Sequence, residues 1–321
     1  MRKAVLSPLL IASVLATAQS TSLPKYKVVR GNPPEKAVPE MNAAAHQGYR
    51  FLLGAQLAIM HLDTAPPDTY RYLPAPETGY RNDLLNQLNL QGALGYGLLK
   101  ETKILEKEPH PRNYEYAFIN GFTKKAQDQS KDALLAQGFQ LVGFFGNEPL
   151  YMREIGKTEP AQKLAPLRMV RASSKRNLLK NISKLAGENY RYRSNADPGA
   201  NSVYGVTMEL CSAEDGAPFE YRAFEVGEAA QLEQQLNALG QEGFRIVAES
   251  LRQPPYLAER LANHAQKFAY RVIGATDAST TENFVNVGDR DGFVPIAFAA
   301  HVALTVHLHL ILEKAVPASA P

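Results

Sequence analysis

One junction recurs along this chain and limits what it can fold into more than any other feature. In Leu236-Asn237-Ala238-Leu239-Gly240-Gln241-Glu242-Gly243-Phe244-Arg245-Ile246-Val247 an amphipathic helix ends, a glycine breaks it, and an aromatic residue leads into a strand. Comparable breaks stand at Gly48, Gly92, Gly138, Asn189, Gly243 and Gly292, separated by 44, 46, 51, 54 and 49 residues. Five of the six precede Tyr or Phe. A near-constant period of this length signals tandem supersecondary units. Asn189 suits the same geometry, because Asn follows Gly in tolerance for the left-handed residue that closes a helix.

Each break sits inside the order strand, helix, strand, strand. The third unit reads most clearly: Tyr114–Ile119 as a strand, Lys124–Gln137 as a helix, then Phe139–Phe145 and Leu150–Glu154 as two strands turned at Gly146-Asn147-Glu148-Pro149. In the second unit Asn82 is the predicted N-cap of a helix running to Gln91. In the fourth, Leu178, Leu179, Ile182 and Leu185 share one helical face. The pattern predicts an α+β tandem array of about six small βαββ units, with antiparallel-rich sheets each carrying a helix on one face. Their bounds are 24–63, 69–107, 112–156, 166–212, 218–262 and 267–314, with a disordered tail over 315–321. Proline-rich linkers such as Pro66-Pro67 and Glu108-Pro109-His110-Pro111 fall at the boundaries. A unit of about 45 residues buries too little surface to be secure alone, so neighbouring units must supply the missing burial.

The opening Tyr114-Glu115-Tyr116, the helix end Leu134-Leu135-Ala136-Gln137-Gly138-Phe139-Gln140-Leu141-Val142 and the closing Leu150-Tyr151-Met152-Arg153 resemble the small bacterial DUF4177 family. That family's motif is a Tyr-x-Tyr strand, a helix ending in Gly-Trp, a hydrophobic strand and a final strand with a basic residue. Units three and five are most similar to it. The chain departs from the motif in having no Trp, with Phe or Tyr in its place. The family's function is uncharacterised, so the resemblance implies a fold and no activity.

Residues 1–18 carry a basic start, an apolar run and Ala16-Thr17-Ala18, the pattern of a signal peptide cleaved before Gln19. No later segment reads as a transmembrane helix. The chain is therefore expected to be exported: periplasmic, at the cell surface or secreted. Lys+Arg number 35 against 32 Asp+Glu; removing Arg2 and Lys3 with the signal leaves 33 against 32. A balance this even gives no support to nucleic acid or an anionic membrane as partner. The single cysteine, Cys211, closes a strand-like run and is expected to be a small buried apolar residue, or else to bridge two chains.

Candidate chemistry is sparse. His307 and His309 lie at i, i+2 on one strand face, where two imidazoles could hold a metal with His301 or a carboxylate completing the set. Asp289-Arg290-Asp291-Gly292 has the oxygen-rich look of a calcium loop without its acid ladder. Tyr190-Arg191-Tyr192-Arg193, Tyr70-Arg71-Tyr72 and Tyr80-Arg81 interleave aromatic and basic side chains, as in surfaces that stack bases. No nucleophile elbow, zinc-protease, P-loop or dinucleotide signature occurs, and no cofactor is implied. The expectation is an exported non-enzymatic binding or scaffold protein whose repeat surfaces contact protein or cell-surface polymer, with self-association through sheet edges. The alternatives are an envelope enzyme with an inter-repeat cleft, and a metal-binding envelope protein using His307 and His309.

Overall fold

The computed structural model describes residues 23–63, 70–99, 102–110, 112–121, 123–145, 148–156, 167–195, 203–211, 218–252, 254–262, 266–302 and 306–317. Residues 1–18, the expected signal segment, lie outside them. Six βαββ units follow one another: β1 (Tyr26–Arg30), α1 (Pro34–Ala45), β2 (Tyr49–Gly54), β3 (Leu57–Leu62); β4 (Arg71–Pro74), α2 (Arg81–Ala93), β5 (Tyr96–Leu98), β6 (Ile104–Lys107); β7 (Tyr114–Phe118), α3 (Lys124–Ala136), β8 (Gln140–Phe145), β9 (Glu148–Glu154). The second half continues with β10 (Leu167–Ala172), α4 (Lys175–Ala186), β11 (Tyr190–Asn195), β12 (Tyr204–Leu210); β13 (Phe219–Phe224), α5 (Ala229–Gln241), β14 (Arg245–Ile246), β15 (Tyr256–Leu261); β16 (Lys267–Gly274), α6 (Ala278–Arg290), β17 (Val294–Val302), β18 (Val306–Val316). In every unit the third strand lies between the first and second, antiparallel to both. The sixth sheet runs to Val316, two residues past the expected boundary and into the segment assigned to the tail.

The left-handed residues that follow the six helices are Gly48, Gly95, Gly138, Asn189, Gly243 and Gly292, each with φ between 64° and 92°. The second break is thus Gly95 and not Gly92. Gly92 lies inside α2, where a Cβ would come within 2.3 Å of the Tyr114 carbonyl oxygen. With Gly95 in place all six breaks precede an aromatic residue: Tyr49, Tyr96, Phe139, Tyr190, Phe244 and Phe293. Asn82 is also not the N-cap; α2 starts at Arg81 and Tyr80 precedes it without a side-chain cap. Thr123, Ser174 and Asp277 do cap α3, α4 and α6, each accepting from a backbone N–H three residues on.

Each break aromatic has a cation over its ring. The pairs are Lys27 on Tyr49, Lys107 on Tyr96, Arg153 on Phe139, Arg168 on Tyr190, Arg260 on Phe244 and Arg271 on Phe293, at 4.4–5.8 Å. The cation comes from the unit's own first or third strand, so the ring is packed below by the sheet and sealed above by a charge held in water.

Apart from that of unit 4, the sheets are covered on both faces. In the sixth unit Leu310 and Leu312 face its own helix α6, while Tyr270, Val272 and Ile311 face α5 of the unit before. The same arrangement joins unit 1 to 2, 2 to 3, and 4 to 5. It also joins unit 6 to unit 1: Val285 of α6 and Leu310 share a core with Tyr26, Val28, Leu57 and Ile59. The spatial order is therefore 4–5–6–1–2–3. Among the described residues no core cluster links units 3 and 4, which become the two ends of the stack.

Candidate functional site

The groups with the most chemistry lie in the seams between units. A helix side chain first fixes the edge of the next unit's opening strand. Asn42 accepts from the Tyr72 N–H at 2.9 Å and donates to its carbonyl at 3.0 Å. Asn89 does the same to Tyr116, Asn237 to Tyr270 and Asn286 to Tyr26, all at 2.8–3.3 Å. Each Asn stands six residues before the left-handed break of its unit. Four positions earlier on the same helical face, Glu233 accepts the Val272 N–H at 2.7 Å and Glu282 the Val28 N–H at 2.8 Å. A carboxamide can satisfy both a strand N–H and its carbonyl, which a carboxylate cannot. These edges are thereby closed to further strand pairing. At the remaining seam α4 carries Ser183 in the Asn position and packs on β13 through apolar contacts.

A second group forms where the clamped tyrosine points into the seam. Tyr72 donates to Glu106 at 3.0 Å and accepts from the Phe51 N–H at 2.9 Å, while Arg50 approaches Glu106 at 3.3 Å. Tyr221, Glu259 and Arg191 repeat the group, with Tyr192 supplying the N–H. Tyr270, Glu313 and Arg245 repeat it again, with Ile246 supplying the N–H. In each case the arginine follows the break aromatic of one unit and the glutamate lies on the third strand of the next. Glu106 and Glu313 are buried. Burial pushes their carboxyl groups above the usual range, and the neighbouring arginine and tyrosine pull the other way. Desolvation likewise raises Tyr72, Tyr221 and Tyr270.

The seams without a glutamate lack the arginine too. At the seam from unit 2 to 3 the two positions are Gly97 and Met152, and Tyr116 donates to the Tyr96 carbonyl at 3.0 Å. At the seam from unit 6 to 1 they are Val294 and His61; His61 pairs with Tyr26 across β1 and β3. Among the described residues its buried Nδ1 has no hydrogen-bond partner, and desolvation, the largest influence, lowers its pKa. Lys25 meets Asp289 at 2.6 Å across this seam.

The residues singled out from sequence fall differently. His307 and His309 share a face of β18 as alternation requires, but His307 is exposed and His309 is 2% exposed, so the two imidazoles sit in unlike surroundings. His301 lies opposite His307 in the β17–β18 register. Among the described residues no three His, Cys, Asp or Glu side chains are placed to hold a metal. Asp289 pairs with Lys25 and Asp291 with Arg271, which accounts for the acids of that loop by ion pairing. Tyr70, Tyr72, Tyr190 and Tyr192 are buried, so their alternation with arginine marks inner and outer sheet faces. Tyr80 alone of that set is exposed, and Arg81 stacks on Phe118. Cys211 is half-buried just past β12, short of the full burial expected of it.

Sequence reasoning missed the Asn clamps and the Arg–Glu pairs. The Asn signal is present as a fixed offset from the break, but it emerges only once the second break is placed at Gly95. Comparison with protein-family models, curated proteins and solved structures finds no match to the chain.

Proposed function

We propose that this chain is an exported, non-enzymatic binding or scaffold protein of the cell envelope or extracellular space, built of units related to DUF4177. The reading rests on one observation. The clusters of perturbed ionisable groups recur at three seams, each closed by the same tyrosine, backbone N–H and arginine. Catalysis requires a reacting atom within reach of acid, base and electrophile. Here those groups are occupied by one another, and their repetition with the fold marks them as parts of its construction. What remains outward is helix surface and the ends of the stack, the extended kind of surface that repeat arrays offer to proteins or polymers.

The test uses the mature chain from Gln19 as bait in the native envelope. A partner is expected that also binds the purified chain directly, with affinity unchanged by Glu106→Gln or Glu313→Gln. Failure to retain any envelope component above a control bait overturns the reading. So does a substrate turned over by the purified chain and lost in either variant.

A further inference from the structure

The two ends of the stack carry the halves of a seam that the other units have completed. Every other helix buries at least three residues, yet none of the described side chains of α3 is buried. At the far end, Leu167 on β10 stands in the register of Tyr26, Tyr72, Tyr116, Tyr221 and Tyr270, and Met169 in that of Val28, Phe118 and Val272. Val28, Phe118 and Val272 are 4–8% exposed, and Met169 is 47% exposed.

The α3 face still carries acceptors in seam register. Asp132 lies six residues before Gly138, the position of Asn42, Asn89, Asn237 and Asn286. Asp128 lies ten before it, the position of Glu233 and Glu282, whose carboxylates take a strand N–H. On β10 the corresponding strand groups are the N–H of Leu167 and of Met169, with Arg171 two residues further along the same strand face. The seam positions that elsewhere hold Arg and Glu are here Gln140 and Glu209, and Glu209 is already ion-paired with Arg193 of its own unit at 3.5 Å.

Covalent connection is not what makes a seam. Units 6 and 1 are joined by α6 on β1 although the whole chain lies between them. The linker from unit 3 to 4, residues 155–166, is also longer than those at 63–70, 108–113, 211–218 and 262–266. We propose that α3 of one molecule seats on the β10 edge of a second copy, giving head-to-tail association through a seventh seam of the same kind. Such a contact is heterologous, so it closes as a ring or continues as a filament. The inference is independent of the function proposed above.

The test is a mixing experiment on the full mature chain, read by sedimentation velocity. The wild-type chain is expected to increase in mass with concentration. Asp132→Lys blocks the α3 face and Met169→Lys the β10 face, and each should weaken association by at least about tenfold. Both positions are exposed, so far-UV circular dichroism and melting temperature should be unchanged; Asp128→Lys gives a second disruption from the helix side. Mixed in equal amounts, the two variants retain one intact α3 face and one intact β10 edge between them. They should form a dimer of one copy of each and nothing larger. A wild-type chain that stays monomeric at every concentration overturns the proposal, as does a mixture that stays monomeric or a single variant that associates like wild type. A chain carrying Asp128→Cys, Met169→Cys and Cys211→Ser separates the remaining case. A disulfide between positions 128 and 169 at monomer mass would place α3 on its own β10 and overturn the proposal; a disulfide only at dimer mass or above supports it.

Discussion

The seam between units 5 and 6 and the boundary between units 3 and 4 start from the same βαββ plan and end differently. At the first, Asn237 holds Tyr270 at two points, Glu233 takes the next free N–H, and Tyr270 reaches Glu313 and Arg245. Gly240 lets α5 come so near β16 that a Cβ would sit 2.2 Å from the Phe268 carbonyl oxygen. At the second, the same positions hold Asp132, Asp128, Leu167, Glu209, Gln140 and Leu135. The contrast separates the unit, which forms from local signals, from the seam, which needs a matched partner across it.

Substitutions at matched positions should widen or erase that difference. The largest effect is expected from Gly240→Val, where added atoms meet backbone and neither side can move away. It should cost about 3 kcal/mol or more in urea unfolding, whereas Leu135→Val in α3 should cost about 1 kcal/mol or less. A Gly240→Val chain as stable as wild type would mean that the close approach of α5 to β16 is not required.

Asn237→Ala strands one backbone N–H and one carbonyl in the seam and should cost about 2 kcal/mol. Asp132→Ala is expected to stay within about 0.5 kcal/mol in the dilute chain, as surface positions do. Equal costs at the two sites would remove the distinction between a built and an unbuilt seam.

Arg245→Met leaves the Glu313 carboxylate with Tyr270 as its remaining partner, at about 1–2 kcal/mol near pH 7. Glu313 has a folded pKa above its unfolded value, so its contribution is fully present below the unfolded value near 4.5 and is lost as pH rises through the folded one. The penalty of Arg245→Met should therefore shrink on acidification to pH 4, measured as the difference in melting temperature from wild type. A penalty constant with pH would show that Arg245 acts through packing alone.

The smallest effect belongs to the seam between units 6 and 1. Burial lowers the His61 pKa from 6.5, with Asp63 opposing and Arg50 and Lys25 adding to the shift. A lowered base favours its neutral form in the fold, so stability present above pH 6.5 is lost as pH falls through the folded value. His61→Phe should flatten that acid slope, by about 1 kcal/mol or less. Hydrogen exchange of the Tyr26 and Val28 amides, held by Asn286 and Glu282, would locate the loss in this seam.

Much of this was legible in the sequence because it is local. The left-handed residue, the aromatic after it and the apolar helix stripe each act within a few residues of chain. The misplaced break at Gly92 shows the limit: a glycine required by a neighbouring strand reads the same as a glycine required by its own φ. The Tyr-x-Tyr strands were legible as amphipathic, but not the division between the first ring, held against a cation such as Arg50 over Tyr70, and the second, clamped into the next seam. The tyrosine–glutamate–arginine groups were hidden for the same reason, since their members lie 22 to 68 residues apart. His307 and His309 were placed correctly on one face, but strand alternation does not say which end of a strand is covered.

By itself, then, the sequence determined six βαββ units of three antiparallel strands and one helix, because backbone conformation and side-chain periodicity are set by near neighbours. The tertiary structure alone decided that every sheet but that of unit 4 is covered on both faces, that unit 6 meets unit 1, and that units 3 and 4 end the stack. Those outcomes depend on which helix side chains match which distant strand edge. Periodicity carries no record of that match, and a seam made by two hydrogen bonds from one Asn forms wherever the surfaces fit, with or without a short linker to guide it.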